Sequence, residues 1–169
     1  MIRKIVKHGH PALRKKCKPV ETINDKIRNL IQDMFETMYD APGIGLAANQ
    51  IGVDLSIAVI DIQPNGKKSP IVLINPKITE LKGHLYEEEG CLSIPTLLSR
   101  IKRASYAKVT ALNEKGLPMV YVGEGLMARA LQHETDHLNG KFYIDHLPLL
   151  RRLKMHAEIR KRKKTALWK

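Results

Sequence analysis

The stretch LMARALQHETDHLNGKF, residues 126–142, contains two histidines four residues apart and a glutamate directly after the first of them. On an α-helix, residues i and i+4 lie on one face, so His133 and His137 can direct two imidazole rings at one point. Glu134 lies about 100° further round the helix and can reach a species held at that point. The spacing therefore predicts a helix that carries two metal ligands with an acid–base group beside them.

The segment NDKIRNLIQDMFETMYDAPG, residues 24–43, predicts another helix. Its apolar residues recur every three or four positions and form one stripe of Ile27, Leu30, Ile31, Met34, Phe35 and Met38. Asn24 is a suitable N-cap, and Pro42 with Gly43 ends the periodic pattern. We expect a helix of about 16 residues here.

Four segments rich in Val and Ile predict β-strands between these two helices. They are LSIAVIDI (55–62), PIVLINPKI (70–78), ASYAKVTALN (104–113) and GLPMVYVG (116–123). The intervening QPNGKK and NEKG have the residue types of turns that join strands. We therefore expect an α+β fold in which mostly antiparallel β-sheets pack around a central metal-binding helix.

The length of 169 residues fits a single catalytic domain, residues 1–169. Pro148 can start a last helix that directs Leu149, Leu153 and Ala157 inward. Residues 151–169 contain nine Lys or Arg and one Glu, so much of the formal net charge of +12 lies in a basic C-terminal helix or tail, residues 149–169. This segment is either a solvated helix end or an attachment to a polyanion.

The composition is that of a soluble globular protein, with 43% hydrophobic and 27% charged residues. No apolar run approaches the roughly 20 residues that span a bilayer, and the basic N-terminal segment lacks an apolar stretch of signal-peptide length. We expect a cytoplasmic protein. The two cysteines, Cys17 and Cys91, are expected to be free thiols or ligands, because thiols persist in reducing compartments.

A catalytic metal site needs a third protein ligand besides the two histidines. In metzincins a histidine lies six residues after the second, and Tyr143 at that position excludes this class. In thermolysin-like enzymes a glutamate follows about 20 residues later, a spacing that Glu158 satisfies. The competing ligand is Cys91 in EEEGCLSIP, unless its thiol is buried and inert. The spacing alone leaves these alternatives open.

Three segments together resemble the motifs of peptide deformylases: GIGLAANQ (43–50), EGCLS (89–93) and HETDHLNG (133–140). They come in the family's order and at its spacing, and the resemblance extends over nearly the whole chain, including HPALRKK near the N-terminus. It implies a metal-dependent hydrolase that removes the N-formyl group from formylmethionine at the N-terminus of newly made polypeptides and releases formate.

The resemblance also implies a role for each residue of the three motifs. One divalent metal ion is held by Cys91, His133 and His137. Glu134 is the general base, and Gln50 with the backbone N–H of Leu92 meets the negative charge that develops on the formyl oxygen. Imidazole and thiolate ligands suit Fe²⁺, Zn²⁺, Ni²⁺ and Co²⁺ alike. The resemblance favours Fe²⁺ in the cell, whereas a purified sample can hold any of the four.

The residues expected to bind the substrate are Gly43, Ile44, Gly45, Glu89, Leu126 and Arg129. Glu89, next to the ligand loop, also resembles the family residue that braces this loop. Many members of the family carry an arginine seven residues after the metal-binding cysteine, where this chain has Leu98. Arg129, one turn before His133, stands where an apolar residue is expected to floor the methionine pocket. A buried, unpaired arginine would cost several kcal/mol, so we predict an ion pair between Arg129 and Glu87.

Formylated nascent peptides and, through the basic tail, the ribosome are the expected partners, whereas no membrane or specific DNA partner is expected. Two alternatives have other chemistry: a different metallopeptidase that uses Glu158, and a basic RNA-binding protein with a structural metal. The second lacks support from aromatic residues, since the chain has only two Phe and one Trp and no stacking motif.

Overall fold

The computed structural model describes residues 1–165 and residue 168. The helices are α1 (Asp25–Asp40), α2 (Gly125–Leu138) and α3 (Leu149–Arg162). The strands are β1 (Gly45–Ala47), β2 (Ile57–Ile60), β3 (Ile71–Lys82), β4 (Leu85–Cys91), β5 (Ile94–Arg103), β6 (Tyr106–Leu112) and β7 (Pro118–Glu124). Among these residues, no helix is both long enough and apolar enough to span a membrane.

Five strands form one antiparallel sheet in the order β1-β2-β3-β6-β7, and β4 and β5 form a separate antiparallel hairpin. This architecture confirms the predicted α+β class. The four predicted strands correspond to β2, β3, β6 and β7. The short strand β1 and the β4–β5 hairpin were not predicted from the sequence pattern.

Helix α1 begins and ends where its capping residues predict. The Asn24 side chain accepts a hydrogen bond from the Ile27 N–H at 3.2 Å, which satisfies one of the free donors of the first turn. Its apolar stripe packs on one face of the large sheet, against residues such as Leu46, Ile57 and Val59. The stripe on α1 therefore reports the position of the core correctly.

Helix α2 packs on the opposite face of the same sheet. Because side chains alternate along a strand, Ile57 and Val59 of β2 face α1, whereas Ile60 faces the core that contains Ala128 and Leu131 of α2. The small alanine side chains of α2 allow close contact with the sheet. This packing fixes the direction in which His133 and His137 leave the helix.

The β4–β5 hairpin has a core of its own. Ile94, Leu97 and Ile101 of β5 pack against a C-terminal group that includes Phe142 and Tyr143. The pairing shifts register between Glu89 and Cys91, and the turn between the strands is only two residues long. The sequence pattern does not predict β4, because its three consecutive glutamates do not alternate with apolar residues. Only the last of the three is buried.

Helix α3 contacts the domain through residues other than those predicted. Leu149 is 60% exposed and Leu153 is 55% exposed, so the expectation that these two residues face inward was wrong, and Ala157 is only half-buried. The helix packs through its C-terminal half, where Ile159 is 1% exposed. Ile159 enters the same core as the β4–β5 hairpin.

Candidate active site

Three possible metal ligands converge between α2 and the β4–β5 hairpin. The ligand atoms of Cys91, His133 and His137 all lie within 4.8 Å of one another. The His137 Nε2 atom is 3.1 Å from the Cys91 Sγ atom and 3.1 Å from the His133 Nε2 atom. Glu158, the alternative third ligand, does not join this group but accepts a hydrogen bond from Arg162 on α3.

Glu89 fixes the orientation of the His133 ring. Its Oε1 atom is 2.6 Å from His133 Nδ1, so the other ring nitrogen, Nε2, faces Cys91 and His137. The carboxylate is 5% exposed and also accepts two hydrogen bonds from Arg103, at 2.7 and 3.1 Å. Both of its oxygens are therefore occupied, which supports the expected bracing of the ligand loop more than the expected contact with substrate.

Arg103 links this carboxylate to the helix that carries the histidines. The guanidinium group is almost completely buried, and besides Glu89 it donates a hydrogen bond to Asp136 at 2.6 Å. His146 also contacts Asp136, at 2.6 Å. Sequence reasoning missed this network, because Arg103 lies 14 residues from Glu89 along the chain and reaches it only through the pairing of β4 with β5.

The group formed by Cys91, His133 and His137 has the chemistry of a transition-metal site. Burial alone would raise the pKa of the Cys91 thiol, but the imidazoles of His137 and His133 lower it to about 5. The residue is thus disposed to be a thiolate at neutral pH, the form that binds metal. Two imidazole nitrogens and one thiolate, with a carboxylate behind one histidine, fit a divalent ion such as Fe²⁺ or Zn²⁺.

Glu134 lies beside the ligands as a buried carboxyl group. It is 4% exposed, and its Oε2 atom is buried without a hydrogen-bond partner. Burial raises the pKa of Glu134 to about 7, against the opposing effect of His133 and His137. A carboxyl group with this pKa can both take and release a proton near neutral pH.

Gly45 provides the room that Glu134 requires. A Cβ atom at this position would overlap the Glu134 carboxyl group, whereas a Cβ atom at Gly43 would come too close to the end of the Leu92 side chain, at 2.8 Å, and make an ordinary contact with the Met38 carbonyl oxygen. The two glycines of GIGLAANQ therefore have different roles. One of them allows the backbone of β1 to pass directly over the catalytic helix.

Gln50 is held rigidly at the edge of the site. Its Oε1 atom accepts a hydrogen bond from the Ala47 N–H at 2.8 Å, which directs the amide nitrogen toward the hairpin. That nitrogen donates to Ser93 Oγ at 3.2 Å and lies 3.5 Å from Cys91 Sγ. Ser93, which the sequence reasoning did not identify, therefore helps to position the Gln50 amide next to the ligands.

A cavity of about 560 Å³ opens beside these groups. Its lining includes Gln50, Cys91, Leu92, His133 and Glu134, together with the predicted substrate-binding residues Gly43, Ile44, Gly45, Glu89 and Arg129. Leu126 lies two turns before His133, is 37% exposed and does not contribute to the lining. Lys7, which was not predicted, lines the cavity and donates a hydrogen bond to the Leu92 carbonyl oxygen at 3.1 Å.

The predicted ion pair at the cavity is confirmed. Arg129 Nη1 donates to Glu87 Oε2 at 3.0 Å and to the Glu88 carbonyl oxygen at 2.9 Å. The Arg129 side chain is 19% exposed and that of Glu87 is 57% exposed, so the pair joins a half-buried cation to an anion in solvent. Leu98 also lines the cavity and is 61% exposed.

Comparison with known proteins connects this geometry to a family. Residues 2–153 match the family described as polypeptide deformylase. The chain is 50% identical over 146 residues to peptide deformylase 1 of Clostridium acetobutylicum. The aligned residues cover 86% of this chain and 95% of that protein. This chain belongs to the polypeptide deformylase family.

Solved structures agree with this assignment. A peptide deformylase from Legionella pneumophila is 48% identical, with a TM-score of 0.90 and coverage of 97% of this chain and 96% of that one. The Ehrlichia chaffeensis peptide deformylase in complex with actinonin is 34% identical, with a TM-score of 0.88 and coverage of 97% and 99%. The chain is thus a metal-dependent hydrolase that removes the N-formyl group from formylmethionine at the N-terminus of newly made polypeptides, releasing formate.

Proposed function

We propose that Cys91, His133 and His137 hold the metal ion of this deformylase and that Glu134 is its general base. The observation that carries this proposal is the convergence of the three ligand atoms beside a buried carboxyl group. When bound, the ion supplies a Lewis acid that activates water and polarises the formyl carbonyl. Glu134 takes the proton of the attacking water and delivers it to the departing amine nitrogen.

Gln50 and Leu92 stabilise the negative charge that develops on the formyl oxygen. The Gln50 amide is suited to this role because Ala47 and Ser93 hold it in place, so little reorganisation is needed during the reaction. The Leu92 backbone N–H acts as the second donor at the turn of the hairpin. Removing one such donor typically lowers turnover by a factor of about 100 to 1,000.

The substrate backbone lies along Gly43, Ile44 and Gly45, and the side chain of the formylated methionine enters the cavity next to Arg129. Ile44 supports this arrangement because it is 39% exposed directly before β1, where an extended peptide can reach it. Glu89 acts behind His133 rather than on the peptide. Leu126 is assigned no direct contact.

Formate release from a formyl-Met peptide by the Fe²⁺-loaded protein tests these assignments, with the unformylated peptide as the control. Cys91→Ala should lose both metal and activity. Glu158→Ala is the matched control, because Glu158 pairs with Arg162 and lies outside the ligand group. Retention of the metal by Cys91→Ala would contradict the ligand assignment.

We propose Fe²⁺ as the ion in the cell. The ligand set does not select one metal by its chemistry, since thiolate and imidazole also bind Zn²⁺, Ni²⁺ and Co²⁺. The support for Fe²⁺ is the family resemblance. Metal analysis of protein purified without exposure to air tests this choice, and stoichiometric Zn²⁺ in such a sample would contradict it.

We propose further that the enzyme works in the cytoplasm on chains that leave the ribosome, and that the basic C-terminal segment, residues 149–169, attaches it there. Arg160, Lys161 and Lys164 are exposed, and each contact of a cation with an RNA phosphate adds a salt-dependent contribution to affinity. Replacing these three residues by Gln keeps Ile159 in the core. The variant should hydrolyse short formyl peptides normally and bind ribosomes more weakly at low salt. Equal binding across a salt series would make this segment a solvated helix end.

A further inference from the structure

We propose that Arg129 enables this deformylase to act on chains that begin with N-formyl-methionine sulfoxide as well as on those that begin with N-formylmethionine. This inference rests on the proposed function, in which the first side chain of the substrate enters the cavity beside His133. It concerns the chemistry of the cavity wall. A cation there can bind the sulfoxide oxygen, which a purely apolar wall would reject.

Arg129 lies where the first side chain of the substrate passes. It precedes His133 by one helical turn, and residues i and i+4 are neighbours on a helix surface. The Cα atom of the first residue is bonded to the nitrogen of the formamide that is hydrolysed, so its side chain starts next to the metal ligands. Arg129 and Ala130 precede His133 on α2, and both line the cavity.

The guanidinium group of Arg129 has donors to spare. Both hydrogens of Nη1 are used, one on Glu87 Oε2 and one on the Glu88 carbonyl oxygen. The Nε and Nη2 groups have three more N–H donors and no acceptor among the described residues. Lys7, the other cation of the lining, differs in position: its ammonium group donates to the Leu92 carbonyl oxygen at the turn of the hairpin, whereas Arg129 lies on α2 one turn before His133.

Methionine and its sulfoxide differ in what they can accept from these donors. A thioether sulfur is a weak acceptor, whereas oxidation converts the side chain into a polar one with a strongly accepting oxygen. An apolar pocket would reject this oxygen, because burying a polar group without a partner is unfavourable. A hydrogen bond from a guanidinium group compensates for that loss and is stronger than one between neutral groups.

Glu87 keeps the donor group in place. Its contact with Nη1, together with the contact to the Glu88 carbonyl oxygen, anchors one side of the guanidinium group to β4. The chemical step is the same for both substrates. Water adds to the formyl carbon, the C–N bond breaks, formate leaves, and the amine nitrogen takes the proton, while the sulfoxide S–O bond remains intact.

The test compares three peptides that differ only in the first side chain: formyl-Met, formyl-Met sulfoxide and formyl-norleucine. Norleucine has the length of methionine and lacks the sulfur, so it reports fit without an acceptor. The value measured is the ratio of kcat/KM for the sulfoxide peptide to kcat/KM for the methionine peptide. In the unmodified enzyme this ratio should stay within about tenfold of one, since the lost apolar contact and the gained hydrogen bond are of similar size.

Arg129→Leu should lower this ratio by about tenfold or more, because a hydrogen bond to a charged donor is lost for the sulfoxide peptide only. The ratio of norleucine to methionine should stay nearly constant. Arg100→Leu is the matched control, since it removes an exposed arginine of the β4–β5 hairpin that lies outside the cavity lining. The double variant Glu87→Leu with Arg129→Leu removes both charges, so the ratio can still be measured if the single variant folds poorly.

The outcomes separate this inference from the proposed function. If the formyl-Met peptide is not hydrolysed, the proposed function fails. If it is hydrolysed and the unmodified enzyme rejects the sulfoxide peptide, or if the single and double variants at position 129 leave the ratio unchanged, the inference alone is overturned.

Discussion

Glu89 Oε1 lies 2.6 Å from His133 Nδ1, and Arg103 holds the same carboxylate through two further hydrogen bonds. The burial of Glu89 and its hydrogen bonds have opposite effects on its pKa. Burial alone would raise its pKa, but the hydrogen bonds from His133 and Arg103 lower the pKa to about 2. The carboxylate is therefore ionised throughout the physiological range and directs His133 Nε2 toward the other ligands.

Replacing Glu89 by Gln should weaken metal binding by about 10-fold to 100-fold, because partners that orient a ligating histidine typically contribute that much. The neutral amide also leaves Arg103 without its buried counter-ion. Competition with a chelator measures the affinity. Glu88→Gln, an exposed neighbour on the same strand, serves as the control and should bind metal normally. Equal metal affinities of the two variants would contradict the role of Glu89 in orienting His133.

Replacing Glu134 by Gln should lower turnover by about 100-fold to 10,000-fold and leave the metal bound. Glutamine keeps the shape of the side chain and cannot take a proton from water. Metal content and formate release are measured on the same sample, so that loss of the ion is not mistaken for loss of the base. Turnover near that of the unmodified enzyme would contradict the general-base role.

Gly45→Ala should lower kcat/KM by about 100-fold or more, whereas Gly43→Ala should have a much smaller effect. The added methyl group at position 45 displaces the Glu134 carboxyl group, and misplacing a catalytic group by about 1 Å can cost this much. At position 43 the close contact is with the flexible end of the Leu92 side chain. Similar activities of the two variants would show that Glu134 does not need the space that Gly45 leaves beside its carboxyl group.

The Fe²⁺ form should lose activity in air faster than a Ni²⁺ form. Cys91 is only partly buried, and a thiolate bound to a redox-active ion exposes both sulfur and metal to oxidation. The time courses are compared for the same protein preparation loaded with either ion, with an anaerobic sample as reference. Equal decay of both forms under aeration counts against Cys91 as a ligand.

His8 should make the folded state less stable as the pH falls from about 6.5 to 4. Its ring packs against Phe142 and His156, and burial, aided by Lys163 and Arg14, lowers the pKa of His8 to about 4. Between these pH values the unfolded chain binds a proton that the folded chain does not, so the free energy of unfolding decreases.

Urea denaturation at pH 7 and pH 5 measures this effect. The unmodified protein should lose more free energy of unfolding between the two values than His8→Asn does. Comparing both proteins in the same metal-loaded state cancels the contribution of metal release at low pH. A loss of equal size in both would show that His8 does not carry the dependence.

Much of the fold follows from local pattern. The stripe on α1 and the i, i+4 pair on α2 were predictable because each element buries a regular set of residues on one face. The β4–β5 hairpin was not, since three consecutive glutamates do not have the alternating pattern of a half-buried strand, although Glu89 is buried in an ion pair with Arg103. Such a pair depends on the register of two strands, which no local pattern reports.

The position of α3 shows a second limit. Its leucines form an apolar stripe, yet the helix docks through Ile159, because what covers a helix is decided by the shape of the partner surface. At the site, the three motifs indicated the ligands through their resemblance to a family. Of the supporting groups, Ser93 and Asp136 lie within these motifs and Arg103 lies outside them, but the contacts that give the three their roles form only in the folded chain.

Two of the proposed ligands belong to α2, which packs on the large sheet, whereas Cys91 belongs to a hairpin with a separate core. An ion that binds all three is therefore a removable cross-link between α2 on the large sheet and the β4–β5 hairpin. Two of the residues that it joins, Cys91 and His137, are 46 residues apart along the chain. Binding and folding are then thermodynamically linked, and free ion at 100 times its dissociation constant would add about 2.7 kcal/mol to stability. Metal supply would thus set not only the activity of this enzyme but also its lifetime against unfolding and proteolysis.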